Sequence, residues 1–246
     1  MAQEAPCKYL EWDSDFFQIR IGRVIENRLQ GGTIDQINQW ADLQRIDCLY
    51  FLADIGDLKT IRLAESNEFR LVDIRVTLEK IIDQSTTIPD LDSIGSIRLV
   101  SPEDLNALKA IARVSYHDTR FYADTTFPVA RADALYEIWI EKSCNGYADA
   151  VFVMEIDHQL VGYISCHLLG EGKGNIGLVG VSQNSQGKSI GRLLIDSALN
   201  WFLEKNVTQV SVVTQGRNIK AQRLYQRCGF LTRSLQFWYH RWFINK

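Results

Sequence analysis

Gly180-Val181-Ser182-Gln183-Asn184-Ser185-Gln186-Gly187-Lys188-Ser189-Ile190-Gly191-Arg192-Leu193-Leu194 runs from an apolar strand through a glycine-bearing turn into an amphipathic helix. The first backbone N–H groups of a helix have no intrahelical partner and lie at the positive end of its dipole, so such a turn is an anion site. Lys188 and Arg192 add mobile positive charge beside those amides. Neither the spacing of a P-loop nor that of a dinucleotide fold occurs here.

Downstream, the apolar strand Val210-Ser211-Val212-Val213-Thr214 leads to Gln215-Gly216-Arg217-Asn218 and a short helix ending Arg223-Leu224-Tyr225-Gln226-Arg227-Cys228-Gly229-Phe230. Asn218 and Tyr225 are seven residues apart, within about 20° of one another around a helix, and so can face one cleft. Gly229 is expected to cap the helix in the left-handed conformation. A tyrosine so placed can also be a large core residue with a wet hydroxyl.

Gln186-Gly187-Lys188-Ser189-Ile190-Gly191 resembles the Gln/Arg-x-x-Gly-x-Gly/Ala loop of the GNAT acetyltransferases, and the Asn218 to Tyr225 segment resembles that family's second signature. The resemblance implies acetyl-CoA as cosubstrate. Its pyrophosphate would meet Gln186, Gly187, Lys188, Ser189, Ile190 and Gly191, and its pantetheine arm would meet Asn218 and the backbone of Leu178, Val179 and Val181. Tyr225 would be the catalytic general acid at the sulfur. One position departs from the pattern: Ser189 stands where the loop has its middle glycine. We expect a Cβ there to weaken or displace binding without abolishing it, since the amide survives and Ser suits a first helical turn.

The implied fold is α/β in the α+β sense, a central mixed and mostly antiparallel sheet flanked by helices. A smaller βαβαβ domain is expected over residues 1–90 and the acetyltransferase domain over 95–246. In the first part, Glu11 to Ile25 reads as an aromatic loop feeding a strand, Thr33 to Arg45 and Asp57 to Asn67 as helices, and Leu49 to Leu52 and Arg70 to Leu78 as strands. The polar stretch from Ser85 to Asp90, with Pro89, suggests a boundary near Asp90. Beyond it come a strand at Ile97 to Val100, a helix capped by Ser101 with Pro102 and Asp104, and a helix at Arg131 to Lys142. A hairpin turns about Asp157-His158, and Ile176 to Val181 enters the glycine loop. The helix after the loop presents Ile190, Leu194, Ala198 and Trp201 on one face, leaving Arg192, Asp196 and Glu204 wet. The final strand runs from Leu231 towards Trp242.

At 246 residues, with 46% hydrophobic and 23% charged residues, the composition is that of an ordinary globular chain. A net charge of −3 supplies no broad basic face, which argues against a nucleic-acid partner. No apolar run approaches the ~18 residues of a membrane span, and no leader pattern opens the sequence, so a cytoplasmic location is expected. Cys7, Cys48, Cys144, Cys166 and Cys228 form no C-x-x-C pair and read as reduced thiols, with Cys48 and Cys166 in the core. The four histidines lack metal-ligand spacing, and no metal is expected.

Trp12-(x)3-Phe16-Phe17, Thr119-Arg120-Phe121, Leu135-Tyr136-(x)2-Trp139-Ile140 and Thr214-Gln215-(x)2-Asn218 together resemble the bacterial nucleotide-sugar N-acetyltransferases of this family. That resemblance implies a nucleotide-linked amino-deoxysugar as acceptor, bound by Arg120, Phe121, Tyr122 and Tyr136. Guanidinium pairs with diphosphate and aromatic faces stack on base or sugar. Packing between helices explains Tyr136 and Trp139 equally well. The general base stays open among His117, Asp118 and a water relay. A peptide, polyamine or other small amine as acceptor, a non-catalytic acyl-CoA sensor, and a homodimer also stay open. An acidic cleft would favour a polyamine, and a basic cleft with Arg120 a nucleotide sugar.

Overall fold

The computed structural model describes residues 5–83 and 95–243. In chain order these form β1 (Cys7–Tyr9), α1 (Glu11–Phe17), β2 (Ile21–Val24), α2 (Thr33–Leu43), β3 (Cys48–Asp54), α3 (Leu58–Ser66), β4 (Arg70–Ile81), β5 (Ser96–Leu99), α4 (Leu105–Ser115), α5 (Arg120–Ala123), α6 (Val129–Lys142), β6 (Ala150–Ile156), β7 (Gln159–Gly170), β8 (Lys173–Val181), α7 (Ile190–Glu204), β9 (Gln209–Gln215), α8 (Ile219–Arg227) and β10 (Leu231–Trp242). The strands make one mixed sheet in the order β1-β2-β3-β10-β4-β9-β8-β7-β6-β5. Only β2/β3 and β8/β9 are parallel. The boundary expected near Asp90, and the polar stretch that suggested it, lie outside the described residues.

Local chemistry accounts for the elements. Asp157 and His158 both take left-handed φ, 49° and 61°, the conformation of a two-residue turn whose twist matches its strands. Ser101 N–H donates to Asp104 Oδ2 at 2.7 Å, half of the capping box that starts the α4 region. Two elements differ from expectation. Glu11–Phe17 is a helix rather than a loop, because Phe17 is buried against Phe121 and Phe127 at 5.2 and 4.7 Å between ring centroids. Asp196 is buried at 6% exposure rather than wet, with Arg192 Nε 3.4 Å from its Oδ2.

Alternation along the strands divides the interior into layers. On β7, Ile164 and Cys166 join a core with α7 and α8, whereas Tyr163, next to Ile164, joins a core with α4 and α6 on the opposite face. The second core continues across the sheet to Phe17, Ile21, Cys48 and Tyr50, so residues from both parts of the chain share it. A third cluster packs α2 and α3 on β1 to β3. Each fully buried aliphatic side chain contributes about 1.5–3 kcal/mol. The central strand β10 pairs antiparallel with β3 on one side and β4 on the other.

Candidate active site

The strand that enters the glycine loop is irregular where it matters. Pairing with β7 moves from Ile164↔Val179 to Cys166↔Ile176, which places one extra residue in β8, and Leu178 N–H donates to Ser165 Oγ at 2.8 Å. The parallel pairing of β8 with β9 ends at Ile176↔Val212. Past that point the two strands diverge. Ser182 N–H donates to Val161 C=O at 2.8 Å, so by strand alternation the N–H groups of Val179 and Val181 point the other way, into the gap. Leu178, by contrast, uses its amide within the sheet.

After Val181 the chain makes one tight turn at Gln183–Ser185 and then Gly187 adopts φ 80°. Gln186 N–H is taken by the Gln183 carbonyl at 3.3 Å, whereas the N–H groups from Gly187 to Gly191 donate to no backbone carbonyl among the described residues. Those amides form the cradle, with Lys188 exposed beside it. Ser189 stands one position before the helix, as its N-cap, with φ 63° and no capping hydrogen bond from its hydroxyl. The expectation that Ser would suit a first helical turn is therefore corrected. Left-handed backbone is what favours glycine at this position of the loop. Gly191 serves packing: a Cβ on it would stand 2.9 Å from Leu224 Cδ2 of α8.

Asn218 caps α8, its Oδ1 accepting Ala221 N–H at 3.0 Å. Tyr225 is 6% exposed and packs edge-on against Phe230. Burial pushes its phenol well above the ordinary range, so the hydroxyl stays protonated. The field of Tyr225 also reaches Tyr116, whose phenol burial pushes up likewise.

On the opposite face of the sheet a cavity opens between β4, α5, α6, β9 and β10. Asp73, Arg75, Thr119, Arg120, Phe121, Tyr136, Trp139, Thr214, Gln215 and Trp238 line it. Three of the four residues expected to hold an acceptor, Arg120, Phe121 and Tyr136, meet here. Tyr122 is not in the lining: its hydroxyl donates to Asp133 Oδ1 at 2.6 Å. Arg120 lies 4.1 Å over the Trp238 ring and 4.5 Å over Tyr50, and its Nε is buried without a hydrogen-bond partner. Burial raises the Asp73 carboxyl, opposed by its bond from Ile74 N–H and by Arg217 and Arg120. His117 and Asp118 are exposed. Asp73, Arg75 and Trp238 were not anticipated. The polar alternation Asp73, Arg75 among Val72, Ile74 and Val76 marks a wet strand face, but Trp238 joins it only through long-range pairing.

The cavity is tied to the open strand. Tyr136 stacks on Tyr116 at 4.3 Å, Tyr116 Oη is 3.0 Å from Tyr163 Oη, and Gly180 lies against the Tyr163 ring. Among the described residues no group of three or more His, Cys, Asp or Glu side chains is arranged to hold a metal ion, and no helix is long and apolar enough to cross a membrane.

Residues 110–230 match the family described as Acetyltransferase (GNAT). The chain is similar to dTDP-fucosamine acetyltransferase of Escherichia coli O6:H1, 25% identical over 244 residues that span 98% of this chain and 100% of that one. It is also similar to the spore coat polysaccharide biosynthesis protein SpsD of Bacillus subtilis, 26% identical over 57% of this chain and 48% of that one. Among solved structures, a GCN5-related N-acetyltransferase from Sphaerobacter thermophilus superposes with a TM-score of 0.70 at 16% identity, covering 96% of this chain and 76% of its own.

Proposed function

The chain carries an acetyltransferase domain of the GNAT family, and on that premise we propose that it moves acetyl from acetyl-CoA to the amine of a nucleotide-linked amino-deoxysugar, of the dTDP-4-amino-4,6-dideoxygalactose type. The observation that carries this reading is the placement of two anion-seeking features on opposite faces of one sheet, joined through the gap between β8 and β9. The unpaired amides from Gly187 to Gly191 suit the pyrophosphate of acetyl-CoA. Arg75 and Arg120 make the cavity basic, which favours a nucleotide sugar over a polyamine. The full-length similarity to a dTDP-fucosamine acetyltransferase supports the same acceptor.

With both substrates seated, the amine attacks the thioester directly. The N–C bond forms, the C–S bond breaks, and the thiolate leaves. The Val179 and Val181 amides offer donors for the charge that grows on the carbonyl oxygen. Asn218 retains its amide N–H groups for the pantetheine arm. Tyr225 offers its proton to the sulfur. Burial keeps that proton on the phenol until the sulfur carries charge, and the hydrogen bond from the hydroxyl to the sulfur strengthens as the C–S bond breaks. Asp73, a buried carboxylate raised towards neutrality in the acceptor cavity, suits the role of proton acceptor for the amine better than the exposed His117 or Asp118.

Thiol release from acetyl-CoA, measured with purified protein and a panel of nucleotide-linked amino sugars, tests the proposal. Release that depends on both substrates is expected. Release with polyamines or peptides and with no amino sugar overturns the acceptor assignment.

A further inference from the structure

Positive charge is concentrated around the acceptor cavity beyond what Arg120 supplies. Arg23 of β2 lies 5.4 Å over the same Trp238 ring that Arg120 covers at 4.1 Å. Arg75 of β4 shares the cavity wall with Arg120, and the Nε atoms of both are buried without a hydrogen-bond partner. Burial, and after it Arg23 and Arg120, lowers the affinity of the Arg75 guanidinium for its proton, and burial, then Arg120, does the same to Arg23. Three like charges are thus held within one another's fields. The nearby carboxylates offset them only in part: burial pushes the Asp13 and Asp73 carboxyls up, Asp13 acts against the lowering of Arg23, and Asp73 is shared with Arg217, whose Nε stands 3.8 Å from its Oδ1.

Such an arrangement opposes folding unless a ligand relieves it, because two buried guanidinium donors lack acceptors and their charges repel. A diphosphate answers both defects. It carries two negative charges and several acceptor oxygens, and guanidinium groups meet it with paired N–H donors. Trp238 sets the spacing, its ring serving as a cation-binding surface for Arg23 and Arg120. We infer that Arg23, Arg75 and Arg120 form a three-point clamp for the diphosphate of the acceptor, an inference that rests on the nucleotide-sugar reading above. The clamp draws on the strands β2 and β4 as well as on α5, so the first part of the chain supplies two of its three arginines. Its location on the face opposite α7 keeps it separate from the amide cradle, and the two phosphate-bearing substrates bind together.

Binding of thymidine diphosphate, inorganic pyrophosphate and thymidine to the full chain, by calorimetry and thermal shift, tests the clamp. Both phosphate-bearing probes should bind in the presence of saturating acetyl-CoA, and thymidine should bind far more weakly. Arg75→Met and Arg23→Met should each weaken thymidine diphosphate by about tenfold or more, leave the acetyl-CoA shift intact, and leave the melting temperature of the free protein equal or higher. A merely structural arginine would lower that melting temperature and spare the probe. Equal thymidine diphosphate affinity in both variants, or competition between that probe and acetyl-CoA, overturns the clamp. If the probe binds through these arginines and no nucleotide-linked amine is acetylated, the acceptor reading falls while the clamp stands. If such an amine is acetylated with the same KM in both variants, the clamp falls while the acceptor reading stands.

Discussion

Gly180 lies flat against the ring of Tyr163, so close that a Cβ on it would stand 2.6 Å from Cε1 and 2.7 Å from Cζ. Tyr163 is fully buried and its hydroxyl is 3.0 Å from that of Tyr116, leaving the ring no direction in which to retreat. Gly180→Ala should therefore destabilise the protein by about 1–3 kcal/mol through overpacking, a fall of roughly 2–12 °C in Tm. In the Tyr163→Leu background the same substitution should cost less. Additive losses across that double-mutant cycle would show that the two residues do not press on one another.

Ser189 holds φ 63° without a capping bond to offset it. Ser189→Gly should raise stability by about 1 kcal/mol, since a left-handed L-residue costs roughly that much, and should leave acetyl-CoA affinity equal or tighter. Melting curves with and without acetyl-CoA measure both effects. A large loss of affinity would assign the hydroxyl a direct role at the phosphate.

Tyr225→Phe keeps the ring that packs on Phe230 and removes only the hydroxyl. Acetyl-CoA binding should persist while kcat drops by about 10²–10⁴-fold, the range for a lost proton transfer. Unchanged kcat, with chemistry shown to limit turnover, removes Tyr225 from the mechanism.

Acid should loosen the acceptor side first. His240 Nδ1 is 2.7 Å from Asp124 Oδ2, which also accepts Trp242 Nε1–H at 2.8 Å, and this pins the end of α5, hence Arg120, to β10. Burial lowers His240 to about 4 against the partial opposition of Asp124. Asp124 falls to about 2, because the bonds from His240 and Trp242 outweigh the effect of burial. Between about pH 6.5 and 4 the unfolded chain holds a proton on His240 that the folded chain does not. Stability is thus complete above that window and falls through it, by about 3 kcal/mol at its upper bound. Burial lowers His167 as well, adding to the loss with the same sign. Melting temperatures from pH 8 to 4 should show the decline, and His240→Gln should flatten it.

Legibility in the sequence followed the range of the interaction responsible. The capping box at Ser101 and Asp104, the Asp157-His158 turn and the left-handed Gly229 after α8 are features set within four residues, and local spacing displays them. The amide cradle is local too, since a helix start and a glycine suffice to read it. Arg23, Arg75 and Trp238 lie far apart in the chain and meet only because β10 enters between β3 and β4. No periodicity reports such a pairing. The helix at Glu11–Phe17 was hidden for the same reason, its Phe17 being fixed by Phe121 and Phe127. Ser189 was visible as a departure, but its sign depended on a backbone angle that only the fold supplies.

The position of β10 also sets a schedule. Its pairings join Cys48 to Trp242 and Glu79 to Leu231, so β3 and β4 face an empty slot until residues 231–242 have been made. At roughly 5–20 residues per second, a ribosome leaves those two strand edges unpaired for roughly ten to thirty seconds after β4 emerges. An unpaired edge is a template for a neighbouring chain. The interval of exposed edge scales inversely with translation speed, and a chaperone that covers β3 and β4 acts within it, before β10 exists to fill the slot.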